Sequence, residues 1–176
     1  MVALVVLMTG CGGGSEGQKA LDELNAGLAS SSQGKTDEAV AHYKACLKHE
    51  PLNQFCIYNL GVIAQNAGRA FEAENDYRLA LLIDPEFPSA LFNLAIVRTD
   101  AGSISEAMDI YRRYIDVRPD DASGHLNLGL LLRANGQVEE GALELAKAKA
   151  LDPNVSIPTF QPETTAGSTP VEPSPS

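Results

Sequence analysis

The chain has 176 residues, 44% of them hydrophobic, and 23 acidic against 13 basic side chains give it a net charge of −10. That balance disfavours phosphate-rich partners, because nucleic acid demands a basic stripe and no window of the sequence carries one. Ordinary solubility accounts for a negative surface, which also fits a basic or neutral peptide partner.

At the N-terminus an apolar run from Val2 to Met8 leads into Thr9, Gly10, Cys11 and then Gly12 to Gly14. The run is too short to cross a bilayer as a helix. Small residues directly before a cysteine, after a hydrophobic stretch, resemble the lipobox of bacterial lipoproteins, in which the cysteine is diacylated and becomes the new N-terminus. The resemblance implies that residues 1–10 are a signal peptide, that Cys11 is the lipidation site, and that the protein is anchored in the cell envelope facing the periplasm. Two or more acyl chains make such anchoring effectively permanent. Glycine rather than aspartate after the cysteine resembles outer-membrane sorting in enteric bacteria. No Lys or Arg precedes Lys19, whereas a signal peptide has a basic first segment, so the true start is expected upstream of Met1. Residues 11–19 read as a flexible tether. The alternative is a slightly apolar N-terminus on a cytosolic protein.

The body of the chain is periodic. Pro51, Pro85, Pro119 and Pro153 recur every 34 residues, and Gly34, Gly68, Gly102 and Gly136 recur at the same interval. Such a period predicts stacked helical hairpins, with glycine turning within each hairpin and proline ending it. Residues 20–53, 54–87, 88–121 and 122–155 then align as four units. Before each glycine runs an apolar helical stripe, such as Ile57, Leu60, Val62 and Ile63. After it comes a second helix whose start can form a capping box, for instance Ser103 with Glu106. Ala39, Ala73, Ala107 and Gly141 are small where the two helices of a unit cross, and Tyr43, Tyr77, Tyr111 and Leu145 fill the space one turn later.

Leu60, Gly61, Ala73, Tyr77, Ala80 and Pro85 in the second unit, echoed by Leu128, Gly129, Ala148 and Pro153 in the fourth, resemble the tetratricopeptide repeat. The resemblance implies an all-α, right-handed superhelical solenoid of four helix-turn-helix repeats over residues 20–153. The first unit departs from the pattern, with Glu23 and Ser30 at places usually apolar; a terminal unit has one neighbour to pack on, which relaxes the demand. Beyond Pro153 the composition shifts to Pro, Ser and Thr, so residues 154–176 read as a disordered tail. Val155, Ile157 and Phe160 are candidates for an extended strip over the last helix.

An asparagine stands at the same place in every unit: Asn25, Asn59, Asn93 and Asn127. The resemblance puts first helices on the concave groove, so these amides would form a ladder able to bind the backbone of an extended peptide. A structural role, bonding to a neighbouring helix, is an equal alternative. Tyr58 and Phe92 lie beside the ladder, and Leu28, Val62, Ile96 and Leu130 one turn further on. Gln65, Asn66, Thr99, Asp100 and Arg133 follow, as candidates for selecting partner side chains. Cys46 and Cys56 face each other across a short turn, and two readings stay open: a disulfide or two buried thiols. No catalytic constellation and no cofactor motif emerges. No metal site is expected, although His42 and Cys46, four apart, make a two-ligand pair conceivable.

The expectation is therefore a non-enzymatic scaffold or adaptor binding a segment of another envelope protein in its groove, as an assembly factor for a pilus, secretion or outer-membrane machine. The alternative is a soluble cytosolic co-chaperone or regulatory adaptor; least favoured is an accessory domain split from an enzyme. Self-association through Leu143 and Leu145 on the last helix completes the partner expectations.

Overall fold

The computed structural model describes residues 15–158. It contains eight helices and, among those residues, no strand: α1 Glu16–Ser32, α2 Thr36–His49, α3 Gln54–Asn66, α4 Ala70–Ile83, α5 Pro88–Asp100, α6 Ile104–Val117, α7 Ala122–Ala134 and α8 Val138–Leu151. No described helix is long and apolar enough to cross a membrane. Cys11 and the residues before it lie outside the described residues, as do Phe160 and the rest of the tail.

Each hairpin closes by the same device. Gly34, Gly68, Gly102 and Gly136 adopt φ of 72, 71, 73 and 83°, a conformation costly for any residue with a Cβ. In the first hairpin the Gly34 amide donates to Ser31 and the Lys35 amide to Ser30; the other three repeat the second bond from Arg69, Ser103 and Gln137. These bonds take up carbonyls that a helix end leaves unpaired. At the other end of each unit, a proline follows the last helical turn and cannot continue it.

Inside a hairpin, the two helices approach until side chains have no room. A Cβ on Gly61 would sit 2.9 Å from a Tyr77 ring carbon, and one on Gly129 would sit 2.8 Å from Leu145 and 3.0 Å from the Gly141 carbonyl. Opposite them Ala39, Ala73 and Ala107 are fully buried, as are Tyr43 and Tyr77. Between hairpins, a second joint recurs ten residues apart. Cys46 and Cys56, both buried, are joined as a disulfide, and closing that short loop contributes about 2–3 kcal/mol. Ala80 and Ala90 are fully buried at the equivalent place. At the third joint the Tyr114 ring occupies the room that Gly124 leaves, since a Cβ there would lie 2.7 Å from it. Because its sulfur is bonded to Cys56, Cys46 cannot serve with His42 as a metal ligand.

The terminal units differ from the central ones at one pair of positions. The central units have Ile57 and Leu91, both buried, where the first has Glu23 and the fourth has His125. Glu23 meets His42 at 2.7 Å, and His125 meets Glu144 at 2.6 Å with its other ring nitrogen 2.9 Å from the Pro119 carbonyl. The same two positions thus carry a His and a Glu in exchanged places. His125 thus has a hydrogen-bond partner at each ring nitrogen.

Several local expectations are corrected. Helix α1 begins at Glu16, so residues 16–19, read as tether, are helical. The Ser15 hydroxyl caps the Gln18 amide, and Glu16 pairs with Lys19 and with His49 of α2. The capping box at Ser103 does not form: its hydroxyl accepts from Arg98, and Glu106 turns to Arg78 and Arg98. Past α8 the backbone does not leave at once, because the Val155 carbonyl accepts from Lys149. Leu145 is buried between α7 and α8 and offers nothing for self-association, whereas Leu143 is 65% exposed.

Replacing Gly61 by Val should lower stability by about 1–3 kcal/mol through overpacking against Tyr77. Gly17, a helical glycine with nothing within 4 Å of an added Cβ, should gain about 0.5–1 kcal/mol on change to Ala. Urea denaturation measures both; equal effects would contradict the close crossing.

Candidate functional site: the inner face of the first helices

Helix α3 packs directly on α5, a closeness that no two second helices share. At that joint the array is closest on its first-helix side, and the stripe shared by α1, α3, α5 and α7 is the one that the tetratricopeptide resemblance implies to be the inner face. The part-exposed stripe of these helices contains Phe55, Tyr58, Asn59 and Val62 on α3 and their counterparts on the other three, except that Leu24 of α1 is buried. The four asparagines fall on it, but they are not equivalent.

Asn25 is exposed, and neither it nor Asn127 makes a side-chain hydrogen bond with the described residues. Asn59 turns back on its own helix, with Nδ2 donating to the Phe55 carbonyl at 2.7 Å. Asn93 is structural: its Nδ2 donates to the Tyr58 hydroxyl at 3.1 Å and to that of Tyr77 at 3.4 Å, tying α5 to α3 and α4. The anticipated structural role is thus taken by Asn93, whereas the amides of Asn25 and Asn127 have no partner among the described residues.

Residues expected one turn further along serve mainly to satisfy the buried tyrosines. Tyr77 donates to Gln65 Oε1 at 2.6 Å, and the Tyr43 and Ser31 hydroxyls are 3.1 Å apart. Thr99 donates to the Ala95 carbonyl and lies in hydrogen-bonding reach of Tyr111. Burial pushes the Tyr58, Tyr77 and Tyr111 phenols above their ordinary range, so each remains a protonated donor. Gln65 and Thr99 are accordingly engaged within the fold. Asp100 is exposed beside Tyr111. The stem of Arg133 packs against Gly141. Asn66 borders a shallow depression with Thr36, Ile63 and Ala67, away from the ladder.

Tyr58 and Phe92 are half-buried and do double duty. Tyr58 packs on Tyr77 and Phe87 with centroids 5.7 and 5.1 Å apart, and Phe92 packs on Tyr111 and Tyr114 at 5.8 and 5.1 Å. Their free edges wall a cleft of about 240 Å³ between α3 and α5, completed by Pro88, Ser89, Asn93, Tyr114 and Arg118. Ser89, Tyr114 and Arg118 escaped sequence reasoning. Ser89 was detectable, since it occupies in the third unit the place that Phe55 holds in the second. Tyr114 and Arg118 come from the end of α6, and nothing in their local sequence aims them at the inner face. The Tyr114 hydroxyl donates to Asp121 at 2.8 Å, while the Arg118 guanidinium forms no ion pair with the described residues.

The arrangement suits recognition by shape and hydrogen bonding. Among the described residues no group of three or more His, Cys, Asp or Glu side chains could hold a metal ion. Asn93→Ala should lose about 1 kcal/mol of stability by stripping the Tyr58 and Tyr77 hydroxyls of a partner. Asn127→Ala should leave stability unchanged or raise it by up to about 0.6 kcal/mol through helix propensity. Thermal or urea unfolding of the two variants checks this, and the opposite order would contradict the division of the ladder.

Two family models, both described as tetratricopeptide repeat, match the chain: one over residues 58–116 and 100–156, the other over 24–51. Among solved structures, MamA (residue 41 to the end) from Desulfovibrio magneticus is similar at 25% identity and TM-score 0.71, with 78% of each chain covered. A tetratricopeptide repeat protein from Parabacteroides merdae shares the fold at 22% identity and TM-score 0.71, over 79% of this chain and 56% of its own. So does the first such domain of Spaghetti, determined bound to the HSP90 peptide SRMEEVD, at 24% identity and TM-score 0.64, over 68% of this chain and 95% of its own. No match was found among curated proteins. With its eight helices paired in a 34-residue period and matched by these models over more than half its length, the chain belongs to the tetratricopeptide repeat family.

Proposed function

We propose that this protein is a non-catalytic adaptor that holds a segment of another protein against the inner face of its first helices, at the bacterial cell envelope. The observation that carries the reading is the inner face itself. Apolar side chains, aromatic edges and the unengaged amides of Asn25 and Asn127 stand in line there over four repeats. The chain works by holding and positioning. A peptide bound to the similar domain of Spaghetti supports a peptide as occupant.

The envelope location rests on the N-terminal sequence. Cys11, in its lipobox-like setting, is the proposed acylation site, facing the periplasm and more readily in the outer membrane than the inner. The Cys46–Cys56 disulfide supports an oxidising compartment. An assembly factor for a pilus, secretion pore or outer-membrane complex is the role that joins an anchored position to a groove able to hold a partner segment.

The test is photo-crosslinking in fractionated bacterial cells that express the gene with its upstream segment. A benzophenone side chain replaces Asn127 or Ser89 on the inner face, or Leu82 on the outer side of α4. The expected result is one shared adduct from both inner positions, none from Leu82, and a membrane-bound chain that becomes soluble on Cys11→Ser. Adducts from Leu82 alone contradict the groove, and a soluble chain with intact Cys11 contradicts the anchor.

A further inference from the structure

The start of the first helix and the end of the second meet at one corner of the array. Helix α1 begins at Glu16, whose carboxylate lies 2.6 Å from the His49 ring nitrogen at the end of α2. Directly after His49 comes the tight turn of residues 50–53, closed by the Asn53 amide donating to the Glu50 carbonyl. At the tip of that turn Leu52 is 65% exposed. The other units place Glu86, Asp120 and Asn154 at the equivalent position, so an apolar tip distinguishes this turn from its three counterparts. The corner is also close to neutral, with Lys19 and Lys48 balancing Glu16 and Glu50. The second turn instead carries Asp84 and Glu86, and the third carries Asp120 and Asp121 against Arg118. Lys48 is exposed and makes no ion pair with the described residues.

We infer that this corner is a lipid-contacting surface, with Leu52 entering the interfacial layer of the bilayer and the later repeats standing away from it. This rests on the anchor proposed above at Cys11 and names the face that the anchor brings to the membrane. Because residues 16–19 are helical, the link from Cys11 to Ser15 is four residue steps, which span at most about 14 Å. An acylated Cys11 therefore holds the corner within reach of the bilayer. A leucine exposed to water at that distance gains by moving into the apolar boundary. The stem of Lys48 is long enough to carry its ammonium to lipid phosphates. An anionic lipid surface repels the acidic second and third turns. The array thus meets the membrane at its first unit and carries Asn93 and Asn127 of the inner face outward, toward a partner.

The chain has no tryptophan, so a single one serves as a probe. Leu52→Trp, Glu86→Trp and Phe71→Trp are expressed in bacteria from the gene with its upstream segment, and their acylation is read by intact mass. Each is reconstituted into vesicles of phosphatidylethanolamine and phosphatidylglycerol, with and without brominated acyl chains. Glu86 is the equivalent tip of the second turn, and Phe71, 77% exposed at the start of α4, lies at the opposite edge. The expected result is bromine quenching of Leu52→Trp at least about 3-fold stronger than that of the other two, although tryptophan favours the interface wherever it can reach it. Adding Cys11→Ser should abolish that quenching, because so small an apolar contact does not hold the chain by itself. An acylated, vesicle-bound chain in which Leu52→Trp is quenched no more than Phe71→Trp overturns the inference and leaves the anchor standing. Equal quenching of Leu52→Trp and Glu86→Trp lays the whole edge on the bilayer and overturns contact through the first corner. A chain without acyl groups that does not float with the vesicles overturns the anchor reading, and the inference with it.

Discussion

The close crossing of the two helices in each hairpin is the constraint from which the rest of the molecule follows. Gly27, Gly61 and Gly129 leave no space for a Cβ against Tyr43, Tyr77 and Leu145, and Ala95, at the same place in the third unit, is fully buried. Three of the four hairpins therefore cross at glycine and that of the third unit at alanine, the smallest side chain, so that all four units can stack in one direction. The joints between units obey the same rule of complementary size, with a disulfide at the first, two alanines at the second, and a tyrosine over a glycine at the third. A repeat protein gains its stability from such nearest-neighbour interfaces, since no residue touches the distant end of the array.

Close crossing also buries polar groups, and the way they are satisfied decides which residues remain for function. The repeated tyrosines carry hydroxyls into the core, and Ser31, Gln65, Thr99 and Asn93 are recruited to meet them. Asn127 has Phe92 at the place from which Tyr58 meets Asn93, and its amide makes no side-chain hydrogen bond with the described residues. The inner face is thus the remainder of a packing problem: amides not needed by the core, aromatic edges not covered by it, and little charge. The outer face takes the ion pairs that align successive second helices.

The hairpins were legible from Gly34, Pro51 and their successors because the signal is local and repeated four times. Glycine at a left-handed position and proline after a final turn have the same meaning in every unit. The first helix was placed four residues late because what extends it, Glu16 against His49, joins residues 33 apart. Ser103 and Glu106 form a legitimate local motif, yet Arg78 and Arg98 from neighbouring helices take both of its side chains. Asn93 separates from Asn127 for a similar reason, since Tyr58 reaches it from the preceding unit while the fourth unit's neighbour at that place offers no hydroxyl: Phe92 replaces the tyrosine. The exchanged His and Glu of the end units could have been found by aligning Glu23 with His125 and His42 with Glu144. Arg118 could not, because it stands just after α6 and meets the cleft residues of α3 and α5 only in the folded array.

The claim that the inner face is the working surface is tested most directly by NMR of the full chain titrated with a peptide that binds it, reading the side-chain amide resonances of the four asparagines. The account predicts the largest shifts at Asn25 and Asn127, smaller ones at Asn93, which stays tied to Tyr58 and Tyr77, and backbone shifts along α3, α5 and α7. Shifts confined to α2, α4, α6 and α8, with all four amides unmoved, would contradict it.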